Sequence, residues 1–423
     1  MARKMKDSGI EWIGEIPEGW EIVPVRSCFD EVRTKNTDGQ EQNALQFKSG
    51  NIISKTNFNA SMDDYVADTI TNYTVVLPDT VMINGLNLNY DFKSLRVALV
   101  KEKGVITSAY LAIFPDRKKI SPQYATYLFK GYETKMAFHN MGAGIRKTLG
   151  YKEFKNQPLL LPSEKEQNKI SAYLDSKCSH IDIMLSKIRS SIEEYNKLKQ
   201  AIITQAVTKG VRGKREMKDS GVEWIGEIPK EWDILNLVAH TSMLTPMRDR
   251  PENLDGPIPW IRIEDFDGKY ISSSKASLGV SKETVQSMNL KIYPVGTILC
   301  TSSCIMGKCA IVSRELVSNQ RFIGIIPDQN TCENFLYYLM LSNSERMNYL
   351  ATGALQANLS RSSFEHLKVQ FPSYQEQKEI ADYLDAKCAE IDGLIAKKEQ
   401  LVKELESYKK SLIYEVVTGK REV

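Results

Sequence analysis

Residues 164–210 read EKEQNKISAYLDSKCSHIDIMLSKIRSSIEEYNKLKQAIITQAVTKG, and they decide the fold because the chain writes them twice. From Gln375 it continues QEQKEIADYLDAKCAEIDGLIAKKEQLVKELESYKKSLIYEVVTGK. Gln167, Ile170, Tyr173, Leu174, Asp175, Lys177, Cys178, Ile181 and Asp182 return at a constant offset as Gln377, Ile380, Tyr383, Leu384, Asp385, Lys387, Cys388, Ile391 and Asp392. In the first copy Ile170, Leu174, Cys178, Ile181, Leu185, Ile188, Ile192, Tyr195 and Ile202 recur at steps of three and four, which draws one apolar stripe along a helix. Ile380, Leu384, Cys388, Ile391, Ile395, Val402, Leu405 and Leu412 repeat it. Each helix has an apolar side that must be covered and would be marginal in water without that packing, so the two stripes are expected to cover each other, as an antiparallel coiled coil if the units are related by a pseudo-two-fold. At 1.5 Å per residue each rod runs about 65 Å, longer than an ordinary domain is wide.

The duplication extends further. MKDSGIEWIGEIPEGW at residues 5–20 returns as MKDSGVEWIGEIPKEW at residues 217–232, with three differences. Between each such frame and its helix lies an insert of short β-rich runs punctuated by Gly, Pro and Asn, and the two inserts barely resemble one another. Val97–Pro115 reads as paired strands and Ser121–Asn140 as a helix; Gly296–Pro327 followed by Cys332–Thr352 mirrors them. Leu149, Phe154 and Leu161-Pro162 close the first insert as Leu359, Phe364 and Phe371-Pro372 close the second. The fold class is therefore α+β: two pseudo-two-fold-related units, each an α+β domain followed by a long helix. The boundaries read 1–160, 161–212, 213–371 and 372–423.

Composition excludes more than it assigns. The 423 residues carry 56 Lys+Arg against 53 Asp+Glu, so bulk charge advertises no nucleic-acid partner and any such site rests on local clustering. No run of apolar residues is long enough to span a membrane and no signal peptide precedes the frame, so the expected location is cytoplasmic. Seven cysteines do not suit a disulfide framework, and Cys300, Cys304 and Cys309 lack the spacing and histidines of a zinc site. His139, His180, His240 and His366 are scattered, and Gly210–Arg215 fails the phosphate-loop pattern. No catalytic or metal-binding residues are assigned.

Polar loops within the inserts carry the binding candidates. The first insert offers Asn84, Asn87, Asn89, Tyr90, Lys93 and Arg96, with Arg146 and Lys147 further on; the second offers Thr301, Ser302, Ser303 and Lys308, with Arg248, Arg250, Arg262 and Lys269. Asn pairs with adenine edges, Ser and Thr suit bases or phosphates, and Arg and Lys suit guanine or phosphate.

With the frame SG[IV]EWIGEIP and the run from Leu161 to Asp182 both present in duplicate, the chain resembles the specificity subunit of type I restriction-modification enzymes over essentially its full length. Phe371 in place of Leu is the notable departure. The resemblance implies a non-catalytic subunit with two target-recognition domains, each reading one half of a bipartite site in double-stranded DNA. The helices would set the half-site spacing and dock two methyltransferase subunits, with restriction subunits as further partners. It also implies no cofactor in this chain; S-adenosylmethionine, ATP and Mg would belong to the partners. Ile170, Leu174, Ile181, Leu185, Ile188, Ile380, Leu384, Ile391, Leu405 and Leu412 are the candidate seam and docking positions. The alternative reading is a coiled-coil adaptor whose inserts bind protein.

Overall fold

The computed structural model describes residues 3–48, 50–55, 70–92, 95–142, 147–246, 249–303, 307–351 and 359–423. The chain forms two compact units, Met1–Arg189 with Glu399–Val423, and Ser190–Lys398. Each unit thus contains part of the central helix, Glu164–Lys209, and part of the distal helix, Tyr374–Val417. Within the first unit Asp182 pairs with Lys409 at 2.6 Å and Arg189 with Glu406 at 2.5 Å, so numbers rise on one helix as they fall on the other. The two long helices pack together antiparallel, as a pseudo-two-fold relation requires. Lys199 pairs with Asp392 at 2.6 Å in the second unit.

The seam is real but uneven. Ile170, Leu174, Cys178, Ile181 and Leu185 are buried in one cluster with Leu412, Ile413, Val416 and Val417, against which Leu405 packs. Ile203, Ala206 and Val207 join Ile380, Leu384 and Cys388 in the other, and Ile391 is buried too. Ile188 is only half-buried. Ile183, Met184, Leu198, Leu394 and Leu401 lie on exposed faces of the same helices.

In the first unit the frame folds as an antiparallel hairpin, Met5–Asp7 with Glu15–Pro17, Lys6 opposite Ile16. Glu21–Pro24 then pairs with Pro158–Leu161, so the end of the insert returns to its beginning at the foot of the central helix. Between them stands a four-stranded antiparallel sheet in the order Phe29–Glu31, Leu111–Pro115, Val81–Ile83, Val97–Leu99. The strands expected between Val97 and Pro115 exist, but they flank Val81–Ile83 instead of pairing with each other. The helix Pro122–Thr134 packs on this sheet, capped by the Ser121 hydroxyl with Pro122 in its first turn. The single helix expected over 121–140 breaks at Met136, whose φ of 52° is left-handed, and resumes as Ala137–Met141.

The second unit repeats the scheme. Met217–Asp219 pairs with Glu227–Pro229 and Asp233–Asn236 with Lys368–Phe371. Its sheet runs Thr241–Leu244, Phe322–Pro327, Ile298–Thr301, Cys309–Val312, in the order seen in the first unit, and adds a fifth strand, Tyr270–Ile271, parallel to its neighbour. A three-stranded sheet of Gly279–Val280, Ile258–Ile261 and Val317–Ser318 has a looser counterpart in the first unit, where Leu45–Lys48 pairs antiparallel with Asn51–Ser54 and Ala44 bridges Val105 in parallel. Glu333–Ser342 packs on the main sheet and gives way at Asn343 to Ser344–Leu350, again two helices where one was expected.

One buried side chain explains why the glutamine of the repeated motif recurs. Gln167 Oε1 accepts from Ser121 N at 2.8 Å, while its Nε2 donates to Lys119 O at 3.1 Å and Pro162 O at 3.0 Å. Gln377 does the same with Cys332 N at 2.8 Å, Asn330 O at 3.1 Å and Pro372 O at 3.0 Å. Each amide ties the start of a long helix to the start of the helix on the sheet.

Candidate nucleic-acid interface

The third and fourth strands of each main sheet are joined by a loop, and most of the polar candidates lie on or beside these two loops. In the first unit the loop follows Val81–Ile83 and ends before Val97. Its order comes from inside. Arg96 is 1% exposed, and its guanidinium donates to Asn84 O at 2.9 Å, Leu86 O at 2.8 Å and Asp91 O at 2.5 Å. The Asp91 carboxylate stands 3.5 Å away. Arg96 therefore corrects the expectation of a direct DNA contact: it is a buried strut that curls the loop. The Glu133 carboxylate, from the helix on the sheet, accepts Arg96 N at 2.5 Å. Burial pushes Glu133 up to about 7, against the opposing pull of the Arg96 hydrogen bond and of the Arg96, Lys130 and Lys410 charges.

What the loop shows outward is aromatic as well as polar. Leu88 is buried as its anchor, whereas Asn87 is exposed, in the left-handed conformation asparagine tolerates. Tyr90 is 73% exposed, and Phe92 stacks on His139 with ring centres 5.0 Å apart. Asn84 and Asn89 are half-buried at the loop's base. Leu88 N donates to Lys147 O at 3.2 Å, which brings exposed Lys147 beside the loop. Lys93, Arg146 and Arg248 lie outside the described residues. Phe92 and Leu95 are exposed on the same loop, apolar residues that a search for polar contacts passes over.

In the second unit the corresponding loop joins Ile298–Thr301 to Cys309–Val312. Thr301 N donates to Lys308 O at 2.9 Å, and Lys308 N donates to Thr301 Oγ1 at 3.2 Å. Thr301 is buried and its hydroxyl serves the hairpin; Ser303 is buried too, Ser302 is half-buried and Lys308 exposed. The two loops are held alike: Leu149 N donates to Gly85 O at 2.9 Å, and Leu359 N donates to Ser302 O at 2.9 Å.

Of the remaining cations Arg250 is exposed and Arg262 half-buried. Lys269 is a second correction. Its ammonium lies 2.5 Å from Asp385 and 5.0–5.6 Å from the ring centres of Tyr338, Tyr337 and Tyr270, so it fastens the fifth strand to the distal helix. Buried Asp265, which sequence reasoning passed over, organises the adjoining turn by accepting from Arg262 N, Ser274 Oγ and Lys275 N at 2.7, 3.2 and 2.8 Å. Arg346 is sandwiched between Trp224 at 3.9 Å and Tyr349 at 5.0 Å, an exposed aromatic cluster likewise missed. Among the described residues no group of His, Cys, Asp and Glu could hold a metal, and no helix is long and apolar enough to cross a membrane.

Fold and loops first define a class: a duplicated α+β unit on paired long helices, with one loop position filled differently in each copy. Residues 233–404 match the family described as the type I restriction modification DNA specificity domain. Over nearly its full length the chain is similar to type I restriction enzyme specificity subunits. A protein named for the MjaX specificity subunit of Methanocaldococcus jannaschii is 26% identical over 96% of this chain and 95% of its own length. The MjaVIII specificity subunit of the same organism is 23% identical over 96% and 93%. A solved chain from work on complex assembly and conformational transition of the type I R-M system matches with a TM-score of 0.71 at 13% identity, covering 96% of this chain and 99% of that one, which supports the fold. The adaptor reading is not favoured by these matches.

Proposed function

We propose that this chain is the sequence-reading subunit of a type I restriction-modification complex, each unit reading one half of a split duplex DNA site. The observation that carries this is the shared frame with unlike loops: two sheets of one strand order hold, at the same hairpin position, Asn84–Arg96 in one unit and Ser302–Lys308 in the other. A fold that repeats while its exposed loop changes suits two different base sequences better than one symmetric protein partner. Asn87, Tyr90 and Lys147 are the favoured contacts of the first unit, and Ser302, Lys308 and Arg250 of the second. Asn and Ser suit base edges, Tyr90 a thymine methyl or a phosphate, and the cations phosphate or guanine.

On this reading the paired helices of 46 and 44 residues set the separation of the half-sites and dock two methyltransferase subunits. Restriction subunits would join them, S-adenosylmethionine, ATP and Mg would be bound by those partners, and this chain would perform no chemistry. Methyl transfer by the purified chain alone to DNA in the presence of S-adenosylmethionine would contradict that. The DNA-reading claim is tested by footprinting the chain with its methyltransferase partner: protection of a split site is expected, with a steep loss of affinity as salt rises. Protection of a single unbroken site would overturn the two-reader scheme.

A further inference from the structure

The two units treat one equivalent position in opposite ways. In the second unit the frame tryptophan, Trp232, donates Nε1 to Glu376 Oε2 at 3.1 Å, and Arg215 meets Glu376 at 2.7 Å. Arg212, two residues past the glycine that ends the central helix, pairs with Glu379 through contacts of 2.7 and 3.0 Å. Charges there cancel and the indole N–H is satisfied.

In the first unit Trp20, Glu166 and Arg3 take the places of Trp232, Glu376 and Arg215, and Arg3 engages Glu166. The place of Glu379, however, is taken by Lys169. Arg421, two residues past the glycine that follows the distal helix, therefore shares its surroundings with a second cation. A cleft of about 270 Å³ opens here, lined by Arg3, Lys165, Lys169 and Arg421 together with Glu166, Glu422 and Val423, with Trp20 in its wall. Arg3 is engaged by Glu166 and Arg421 stands 3.8 Å from Glu415, whereas Lys165 and Lys169 are exposed. Trp20 is 1% exposed, and its Nε1 is buried with no acceptor among the described residues. A buried indole N–H without a partner costs roughly 1–3 kcal/mol, so an acceptor is wanted in a cleft that also holds Lys165 and Lys169.

We infer that this cleft binds one phosphate-class oxyanion, which accepts from the Trp20 indole and is neutralised by Lys169, Arg421 and Lys165. The role is separate from sequence reading, because the reading loops supply none of the lining residues. The oxyanion has two chemical sources, a free phosphate or a phosphodiester of the DNA backbone, and one substitution distinguishes them.

Lys169→Glu recreates the pairing of Arg212 with Glu379 and so is expected to fold at least as stably as the wild type; exposed Lys169→Gln provides a second, charge-neutral variant. The full chain is titrated with inorganic phosphate at constant ionic strength, following tryptophan fluorescence and the thermal midpoint. Phosphate should raise the wild-type midpoint and lose at least about tenfold in affinity in both variants. Binding to a short duplex lacking any recognition sequence is then compared. A salt slope smaller by about 1 in the variants assigns the site to a DNA phosphodiester, whereas an unchanged slope assigns it to free phosphate. Identical phosphate titrations of wild type and both variants, or no wild-type response, would overturn the proposal. A change in the DNA sequence recognised would instead contradict the assignment of reading to the loops.

Discussion

At the scale of single residues, the first unit separates what builds the reading loop from what the loop presents. Arg96 bonds three backbone oxygens from within, so Arg96→Met should lower stability by roughly 3 kcal/mol in urea unfolding and also weaken DNA binding. Tyr90→Ala removes an exposed ring; stability should stay within about 0.5 kcal/mol while DNA affinity falls by about 1–3 kcal/mol. Loss of both or of neither in Tyr90→Ala would remove Tyr90 from the reading surface. Sequence alone could not separate the two roles. An arginine beside asparagines looks like a DNA contact until the loop is seen to close around it, and Thr301 and Lys269 misled for the same reason.

Glu133 gives the loop a titratable support. Its folded value, about 7, lies above the 4.5 of an ordinary glutamate, so the folded state holds the extra proton between those values. Stability from this group is full below about 4.5 and declines as pH rises through about 7. Glu133→Gln keeps an acceptor for Arg96 N and removes the titration. The variant's stability curve should therefore lack the decline across that window, and a decline of equal size would show that another group causes it.

At the scale of elements, the decisive joints are polar and buried. Gln167→Leu leaves one amide N–H and two carbonyls of the first unit without the partner they share, and Gln377→Leu does the same in the second. Each should cost at least about 1–3 kcal/mol in thermal or chemical unfolding. A negligible loss would mean that the sheet helix is held by apolar packing alone. Gly131 marks a second joint: a Cβ there would stand 2.6 Å from Val417 Cγ2, so Gly131→Ala should destabilise the first unit although alanine favours helix. The long helices were legible from their stripes because period and length are local properties. The breaks at Met136 and Asn343 were not, since neither residue is a strong helix breaker and the turns are imposed by what the short helices pack against. Strand pairing between Val81 and Pro115 was hidden for a related reason: the strands there are all apolar, and partner choice among such strands is settled by the sheet.

At the scale of the whole molecule, the internal repeat carried most of the argument. Repetition of SG[IV]EWIGEIP and of the glutamine-to-aspartate run disclosed the duplicated plan, and the common strand order shows how the variable inserts fit it. The exact reading surface was less legible because it depends on which side chains of a loop turn inward. The central claim is that each unit reads its own half-site through its own hairpin loop. The most direct measurement is methylome sequencing of cells that carry this chain with its methyltransferase partner, before and after replacement of the Ser302–Lys308 loop by that of another specificity subunit. The expected result is a split methylated motif in which one half changes while the other half and the spacing persist. A motif unchanged in both halves, or altered in both, would contradict the account.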